Sequence, residues 1–277
     1  MGSVSKNPQQ QFRALAVASA TGILRDWVGE ERAAEAIGRV STAIAAAAAS
    51  AKKPQDFYQC TPASVATVIA ISALTGVMPS TGATALAYAI PRRPRQGDPL
   101  QLTYQLSHRG VCALAERSGS KIVPIPVGMD DDIEVGPDGE VRVNSIDIDN
   151  PPTTEAELRG VIVLVKDRQT GRVLFTGYVA KKLINARRAV SQDWKYSGDK
   201  SIWATWYVEQ AMKTACHYAM GRGWVVVDDT SVQRALSADI TADVSEQPPR
   251  PQNIGEVVEG VTVEGEVIEE AEAEAGE

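Results

Sequence analysis

The chain has 277 residues, 44% of them hydrophobic, and carries a formal charge of −7. This length allows one sizeable core or two small ones, and no apolar run approaches the roughly 20 residues of a membrane span. The opening residues, MGSVSK, lead into polar sequence rather than the apolar region of a secretory signal. Cys60, Cys112 and Cys216 form neither a CxxC metal motif nor a disulfide framework, so we expect reduced thiols in a cytosolic protein.

The charge is unevenly distributed along the chain. Residues 241–277 contain eleven acids, Asp243 and ten glutamates, against one base, Arg250, and so carry −10, which leaves +3 for the first 240 residues. This segment lacks aromatic residues, and we therefore predict a disordered acidic tail over residues 241–277. Such a tail either keeps the protein soluble, recruits a partner, or imitates nucleic acid and competes for a basic surface.

Helices are predicted at the start of the chain. Residues 10–50 are rich in alanine and suit two helices with small packing residues, the first of which has apolar side chains at Phe12, Leu15 and Ile23. The pattern stops at Pro54. We therefore predict a separate helical segment over residues 1–54.

A helix with clear start and stop signals opens the second predicted domain, residues 55–240. Thr61 suits the N-cap, Pro62 the first helical position and Gly76 the stop. The apolar residues expected on its buried side are Val65, Val68, Ile69 and Leu74.

Residues 84–107 predict a β-hairpin. Before the turn, Leu86, Tyr88 and Ile90 alternate with alanines. After the turn, Leu100, Leu102, Tyr104 and Leu106 alternate with Gln101, Thr103, Gln105 and Ser107. This period of two predicts one buried and one polar face. The turn is long, and its prolines cannot donate ladder hydrogen bonds. A short helix is expected over residues 111–118.

Strand signals recur from residue 121 to residue 179. KIVPIPV predicts one strand, IEVGPDGEVRV a tight hairpin, and RGVIVLVKDRQTGRVLFTGYV a longer hairpin that turns near Gly171. Helices are expected in the basic stretch that follows, over residues 202–220 and around residues 232–236. Hairpins with flanking helices and no βαβ alternation indicate an α+β fold with an antiparallel sheet.

Little in the sequence indicates catalysis. It lacks a GxxxxGK[ST] phosphate loop, a GxGxxG motif after a strand and a GxSxG elbow, so we expect no cofactor. Two histidines are too few for a His-rich metal site, and Cys216 and His217 point about 100° apart on a helix. Asp130, Asp131 and Asp132 suit either a solvated turn or a Mg²⁺ site of a nuclease.

Basic residues form three groups beside the predicted sheet. They are Arg92, Arg93 and Arg95 in the hairpin turn, Arg109 after the second strand, and Lys181, Lys182, Arg187 and Arg188 on one helix, followed by Lys195, Lys200 and Lys213. Each group alone suits a solvated surface, but three groups around one sheet favour a groove that follows phosphates. Trp203 and Tyr207 suit the core, whereas Trp194 and Tyr196 lie in a basic loop and are candidates for base stacking.

Six segments resemble, in order, those of the RecT family of phage single-strand annealing proteins. They are CTPASVATVIAISALTGVMP, ALAYAIPRR, the HRG step at residues 108–110, LAERSG, GYVAKKLINARR and WATWYVEQAMKTA. The resemblance spans roughly residues 55–236. The residues that match the family pattern are Arg109, Gly110, Lys181, Arg187, Trp203, Glu209 and Lys213.

The resemblance implies an oligomer, a ring or a filament, that binds single-stranded DNA and nascent duplex DNA. Because a long DNA track needs repeated subunits, we expect the helical segment at residues 1–54 to supply head-to-tail contacts. It implies annealing of complementary strands in phage recombination without ATP or catalysis, and it leaves a Mg²⁺ requirement open. A phage exonuclease and the host single-strand binding protein are the implied partners. The implied location is the cytoplasm of the bacterial host, away from the membrane.

The basic residues and the family resemblance together predict that the protein binds DNA through its phosphates. We expect the turn arginines at the edge of a groove, polar groups of the second strand along it, Arg109 at its end, and Gly110 where the DNA backbone comes close. The predicted DNA-binding residues are Arg92, Arg93, Arg95, Gln105, Arg109, Gly110, Lys181, Lys182, Arg187, Arg188, Lys195 and Lys213. Alternatives are a merely solvated strand face, a metal-dependent nuclease that uses residues 130–132, and an oligomeric phage structural protein.

Overall fold

Helices occupy both ends of the described chain, and the strands fall between them. This computed structural model describes residues 8–28, 30–82, 84–94, 97–137, 140–225, 227 and 229–243. The helices are α1 (Pro8–Val28), α2 (Glu30–Ala49), α3 (Pro54–Tyr58), α4 (Pro62–Thr75), α5 (His108–Arg117), α6 (Lys181–Val190), α7 (Gln192–Ser197), α8 (Ile202–Thr205), α9 (Tyr207–Gly221) and α10 (Thr230–Asp243). The strands are β1 (Ala87–Arg92), β2 (Gln101–Leu106), β3 (Ser120–Gly128), β4 (Asp132–Val135), β5 (Val141–Ser145), β6 (Leu158–Asp167) and β7 (Val173–Ala180).

These strands pair in antiparallel fashion and form three small sheets. β1 pairs with β2, β4 pairs with β5, and β6 lies between β3 and β7. The three predicted hairpins are present, and the α+β class is confirmed. The strands after β2 do not extend the first hairpin, so helices rather than a single sheet connect the parts of the fold.

Helix α4 forms the centre of the first half of the fold. It begins after Thr61 and ends at Gly76, as the sequence predicts, and Gly76 adopts the left-handed φ of 61° that is typical of a helix stop. Val65, Val68 and Ile69 of α4 are buried in the main core. Because α4 is apolar on most sides, α1, α2 and β2 all pack against it.

The N-terminal helices contribute to the same core. Ala16 and Leu24 of α1 and Val40 of α2 are buried in the cluster that contains the α4 side chains. The side chains of Phe12, Leu15 and Ile23, expected to form the apolar face of α1, lie outside the described part of the structure. One face of residues 8–49 is therefore occupied within the chain.

The β1–β2 hairpin buries its small residues on β1. Ala87 and Ala89 are 0% and 7% exposed, whereas Tyr88 and Ile90 are half-buried on the other face. On β2, Leu102 and Tyr104 face the core as predicted. The alternation was thus read correctly on β2, but on β1 the alanines, and not the large residues, face the core.

The free edge of β2 is covered by polar groups from two helices. Leu102 donates its backbone N–H to Oγ of Ser64 at 2.9 Å, and the Leu100 carbonyl accepts from Thr61 N at 2.9 Å. Farther along, the N–H of Leu106 donates to a carboxylate on α10. The N–H groups of Leu102 and Leu106 and the carbonyl of Leu100 therefore find partners without another strand.

The β3–β6–β7 sheet is covered on both faces. One face contributes Val161, Val163 and Val165 to the main core. The other face packs part of its length against the β4–β5 hairpin, through a smaller cluster that includes Val127, Ile133 and Ile162. The β4–β5 hairpin is therefore held against this sheet by side-chain packing, and its two short strands remain a separate ladder.

The last helices differ from prediction in their boundaries. The helix expected over residues 202–220 is interrupted at Trp206, whose φ of −131° lies outside the helical range and separates α8 from α9. Trp203 and Tyr207 are buried and in edge-to-face contact, which confirms their interpretation as core residues. Within the ranges given above, the helices are all too short or too polar to cross a membrane.

Candidate nucleic-acid interface

The β1–β2 turn holds its arginines against the hairpin. Arg92 is half-buried and donates from Nη2 to Oε1 of Gln105 at 3.2 Å, so its side chain lies along the outer face. Gln105 is only 6% exposed, which leaves little of it for a ligand. Arg93 is exposed, and its Nη1 donates to the Asp98 carbonyl at 2.6 Å across the turn. Arg95 lies outside the described residues.

A side-chain hydrogen bond links this turn to the helices after β7. Gln192, the first residue of α7, donates from Nε2 to the carbonyl of Pro94 at 3.2 Å. These two residues are 98 positions apart in the sequence. Because α7 follows α6 almost directly, the fold places the arginine turn next to the basic helix.

Two basic side chains of α6 hold the helix in place. Lys181 donates from Nζ to the carbonyl of Glu155, and Arg188, 15% exposed, lies 2.6 Å from Oε2 of the same residue. The Arg188 guanidinium also lies 4.4 Å from the ring centre of Trp194 and 5.3 Å from that of Tyr207. These contacts join α6, α7 and α9, so Arg188 is chiefly an internal anchor and one face of Trp194 is already occupied.

The more exposed cations lie on the outer sides of α6 and α7. Lys182 and Lys195 are exposed, and Lys195 neighbours Tyr196, which is 78% exposed. Arg187 is half-buried, and its Nη2 donates to the Ile240 carbonyl of α10 at 3.4 Å. We call the cations of this region the α6–α7 basic surface, defined by Arg92, Arg93, Lys182, Arg187 and Lys195.

Arg109 is exposed in the first turn of α5, which begins earlier than predicted, at His108. Ser107 is the N-cap, and its Oγ accepts a hydrogen bond from Gly110 N at 3.1 Å. Burial, and then the charge of Arg109, lower the pKa of His108, while Glu209 acts in the opposite direction. The imidazole is therefore neutral near pH 7, and Arg109 supplies the positive charge at this helix start.

The packing of Gly110 corrects the role predicted for it. Gly110 is buried, and a Cβ at this position would lie 2.0 Å from the Leu86 carbonyl oxygen and 3.0 Å from Cδ2 of Leu106. Glycine is needed because α5 meets the hairpin backbone here. The close approach that we predicted for DNA is made by the protein's own backbone, so Gly110 is left out of the candidate interface.

Lys213 also lies inside the protein rather than on the predicted groove. Its Nζ is 2.8 Å from Oδ1 of Asp239, and these side chains are 10% and 1% exposed. His217 Nε2 lies 2.7 Å from the other carboxylate oxygen, and Leu106 N donates to Oδ1 at 2.8 Å. Burial by itself raises the pKa of Asp239, but Lys213 and His217 outweigh it and hold this pKa at about 2. The charge of Lys213 is compensated in the core.

The acid cluster at the end of β3 has a structural use. Asp131 is buried, and its carboxylate accepts backbone hydrogen bonds from Gly128 at 2.6 Å and from Asp147 at 2.9 Å. Asp132 is exposed and accepts from Nδ2 of Asn144 at 3.2 Å. Across the described ranges, no three His, Cys, Asp or Glu side chains are grouped so that they could hold a metal ion.

Sequence reasoning missed the partners of several basic residues. Glu155 and Asp239 anchor α6 and α9, and neither stands near its partner in the sequence. It also missed Lys121 and Lys166, which face each other in the register of β3 and β6. The alternation of apolar and polar residues around Lys121 could have shown on which face of β3 it lies. The pairing of β3 with β6, beyond the β4–β5 hairpin, could not be predicted from the sequence pattern.

The fold is mixed α+β, with exposed or half-buried cations on the β1–β2 turn, α6 and α7, and with a buried acidic–basic network between α9 and α10. The sequence model of the RecT family matches residues 40–251, and the chain belongs to this family. The match confirms the resemblance seen over residues 55–236. It supports roles in DNA recombination, single-strand annealing and DNA binding. A comparison with curated proteins finds no match.

Proposed function

We propose that this protein binds single-stranded DNA by its phosphates and anneals complementary strands without ATP during phage homologous recombination. The observation that carries this proposal is the contact between Gln192 and Pro94, because it joins the arginine turn to the basic helix. In this proposal, cations from segments far apart in the sequence act together on the DNA. Such a surface gives sequence-independent affinity through counterion release.

The interface that we propose is smaller than the sequence predicts. It consists of the α6–α7 basic surface together with Arg109. Arg95 lies outside the described residues and stays a prediction from the sequence. Lys181 and Arg188 support α6 from inside, and Gln105 supports Arg92. Because Lys213 and Gly110 are buried, we leave them out of the proposed interface.

The mechanism follows from what annealing requires. Two polyanions repel each other, so the protein must neutralise phosphates, and the base edges must stay open to a second strand. Stacking each base on an aromatic ring would oppose pairing. Trp203 and Tyr207 are buried, and one face of Trp194 is covered by Arg188, which leaves Tyr196 and Trp206, 78% and 56% exposed, as the more exposed rings of this region.

The proposal also includes oligomerisation through residues 1–54 and two protein partners, a phage exonuclease and the host single-strand binding protein. Since α1 and α2 use one face for the core, the outward face is the part open to a neighbouring subunit. Ala34 is exposed on α2 and small enough to allow close contact. Substitution Ala34→Glu should reduce assembly size in light scattering while the melting temperature stays unchanged; an unchanged size would remove this face from the contact.

The central experiment mixes two complementary labelled oligonucleotides with the protein, without nucleotide, with and without Mg²⁺. Faster duplex formation than in buffer, with both strands intact, is the expected result. Shortened strands in Mg²⁺ would instead establish a nuclease. Failure to bind single strands at low salt would overturn the proposal and favour a structural protein whose basic surfaces contact other subunits.

A further inference from the structure

Two cysteines that lie far apart in the sequence meet where α5 packs on α9. Cys112 is in the middle of α5 and Cys216 is in α9, and their Sγ atoms are 3.8 Å apart although 104 positions separate the residues. Cys216 is buried in the main core, and Cys112 is half-buried and packs against the same core. The tertiary structure, and not a local motif, therefore brings these two thiols together.

The separation of the two sulfur atoms is close to what a covalent link requires. A disulfide bond is about 2.05 Å long, so the Sγ atoms, now 3.8 Å apart, must approach each other by about 1.8 Å. Rotation of a cysteine side chain about its Cα–Cβ bond moves Sγ by distances of this order. The bond can therefore form while α5 and α9 stay folded and in contact.

The two thiols have different environments, which suit different steps of an oxidation. The hydrogen bond with Cys216 lowers the pKa of Cys112, against the effects of burial and of Glu116. The same hydrogen bond, together with burial, raises the pKa of Cys216. Cys112 is also the more accessible of the two. It is therefore the thiol that reacts first with an oxidant, and Cys216 is the second thiol.

We propose that Cys112 and Cys216 form a site of reversible oxidation, at which hydrogen peroxide links α5 to α9 through a disulfide bond. The Cys112 thiolate attacks one peroxide oxygen, so that an S–O bond forms, the O–O bond breaks, and the leaving hydroxide takes up a proton to become water. The Cys216 thiol then attacks the sulfur of this sulfenic acid, and the S–S bond forms as a second water leaves. The two thiols together lose two electrons, which reduce the peroxide to water.

The link ties together two distant parts of the chain. Arg109 lies three residues before Cys112 on α5, and His217, which contacts Asp239, follows Cys216 on α9. The bond therefore fixes the start of α5 to the helix that holds the buried acid. It also closes a long loop and restricts the unfolded chain, so the oxidised protein should be the more stable form. This effect concerns the fold itself and is independent of DNA binding.

Cys60 serves as an internal control. It is 3% exposed, and its thiol donates to the carbonyl of Asp56 at 3.3 Å. Burial, with a smaller effect of Asp56, raises the pKa of Cys60 to about 12. Because the thiolate is the reactive form, Cys60 should stay reduced under conditions that oxidise the other two cysteines.

Mass spectrometry of the folded, full-length protein tests the site. The protein is treated with a small excess of hydrogen peroxide at neutral pH, free thiols are alkylated, and the unreduced sample is digested with pepsin at low pH, where disulfide exchange is slow. We expect one linked peptide pair that contains Cys112 and Cys216, alkylated Cys60, and recovery of both thiols with dithiothreitol. Three free thiols, a link that includes Cys60, a link between two chains, or Cys112 oxidised to sulfinic acid would overturn the proposal.

Matched variants separate the link from general oxidation. Cys112→Ser removes the sulfur that reacts first, and Cys60→Ala leaves the pair intact. Wild type and Cys60→Ala should melt about 5 °C or more higher after peroxide treatment, because the bond joins positions 104 apart. Cys112→Ser should melt at the same temperature with and without peroxide. An equal rise in Cys112→Ser, or no rise in wild type, would overturn the stabilising role of the link.

Discussion

The Asp239 carboxylate of α10 lies 2.8 Å from the Lys213 ammonium of α9 and is 1% exposed. It also accepts the N–H of Leu106 from the free edge of β2 and contacts His217. One buried acid thus connects a strand and two helices. It also holds inside the protein a lysine that matches the family's sequence pattern.

Replacement of this acid should destabilise the fold. In Asp239→Asn, Lys213 keeps its charge in the core without a counter-charge, and we expect the free energy of unfolding to fall by about 3 kcal/mol. Urea denaturation followed by circular dichroism measures the change. Asp199→Asn, at an exposed position, is the control and should stay within about 0.5 kcal/mol of wild type. Equal values for the two variants would contradict the role of Asp239.

The same carboxylate predicts a pH dependence. Its pKa is lowered from 3.8 to about 2 in the folded protein, so its stabilising contribution is complete above about pH 5 and is lost as the pH falls towards 2. The shift corresponds to about 2 kcal/mol. The stability difference between wild type and Asp239→Asn should therefore narrow between pH 5 and pH 2; a constant difference would show that the carboxylate does not titrate in this range.

Two glycine substitutions should have opposite effects. In Gly110→Ala the new Cβ would lie 2.0 Å from the Leu86 carbonyl oxygen, and we expect a loss of about 2 kcal/mol or more. Gly38 on α2 has no atom within 4 Å of its Cβ position, so Gly38→Ala should gain about 0.5–1 kcal/mol in helix propensity. Thermal unfolding of wild type and both variants measures these changes in stability. A neutral Gly110→Ala would show that α5 can move away from the hairpin.

Lys182 and Arg188 lie on the same helix, but loss of the Lys182 charge should affect DNA binding, whereas loss of the Arg188 charge should affect stability. Lys182→Gln should weaken binding to single-stranded DNA and lower the log–log salt slope by about 0.7, with unchanged stability. Arg188→Gln removes the Glu155 pair and two ring contacts, so it should cost about 2 kcal/mol of stability. Salt-dependent anisotropy titrations and melting curves separate the effects. Lys182→Arg keeps the charge and should bind as wild type does.

Arg109 should contribute about one phosphate contact. Arg109→Ala should lower the salt slope of DNA binding by about 0.7, because one counterion release is lost. Arg39→Ala, on the exposed side of α2, is the matched control and should leave the slope unchanged. If both variants keep the wild-type slope, Arg109 does not belong to the interface.

Local features of this fold could be predicted from the sequence. Thr61, Pro62 and Gly76 set the limits of α4 because caps depend on residues that adjoin the helix. The alternation on β2 identified its buried face, and the turn at Gly171 has the positive φ of 70° that suits glycine. Each of these signals acts within a few residues of the chain.

The missed features involve contacts between distant segments. On β1, alanine faces the core because neighbouring elements pack closely there, and the sequence of the strand does not contain that information. Lys213 has the same side chain as Lys182, but only the position of Asp239 shows that one is internal and the other is exposed. The sequence shows where basic residues are grouped along the chain, but the division of these residues into internal anchors and exposed cations required the tertiary structure.

The covered edge of β2 limits how copies of this protein can join. A strand from a second molecule would have to displace Thr61, Ser64 and Asp239 before it could pair with the hairpin at that side. Growth of an assembly by continuous β-sheet through this edge is therefore disfavoured. If copies of this chain assemble, we therefore expect them to meet through other surfaces, without a backbone ladder at this edge.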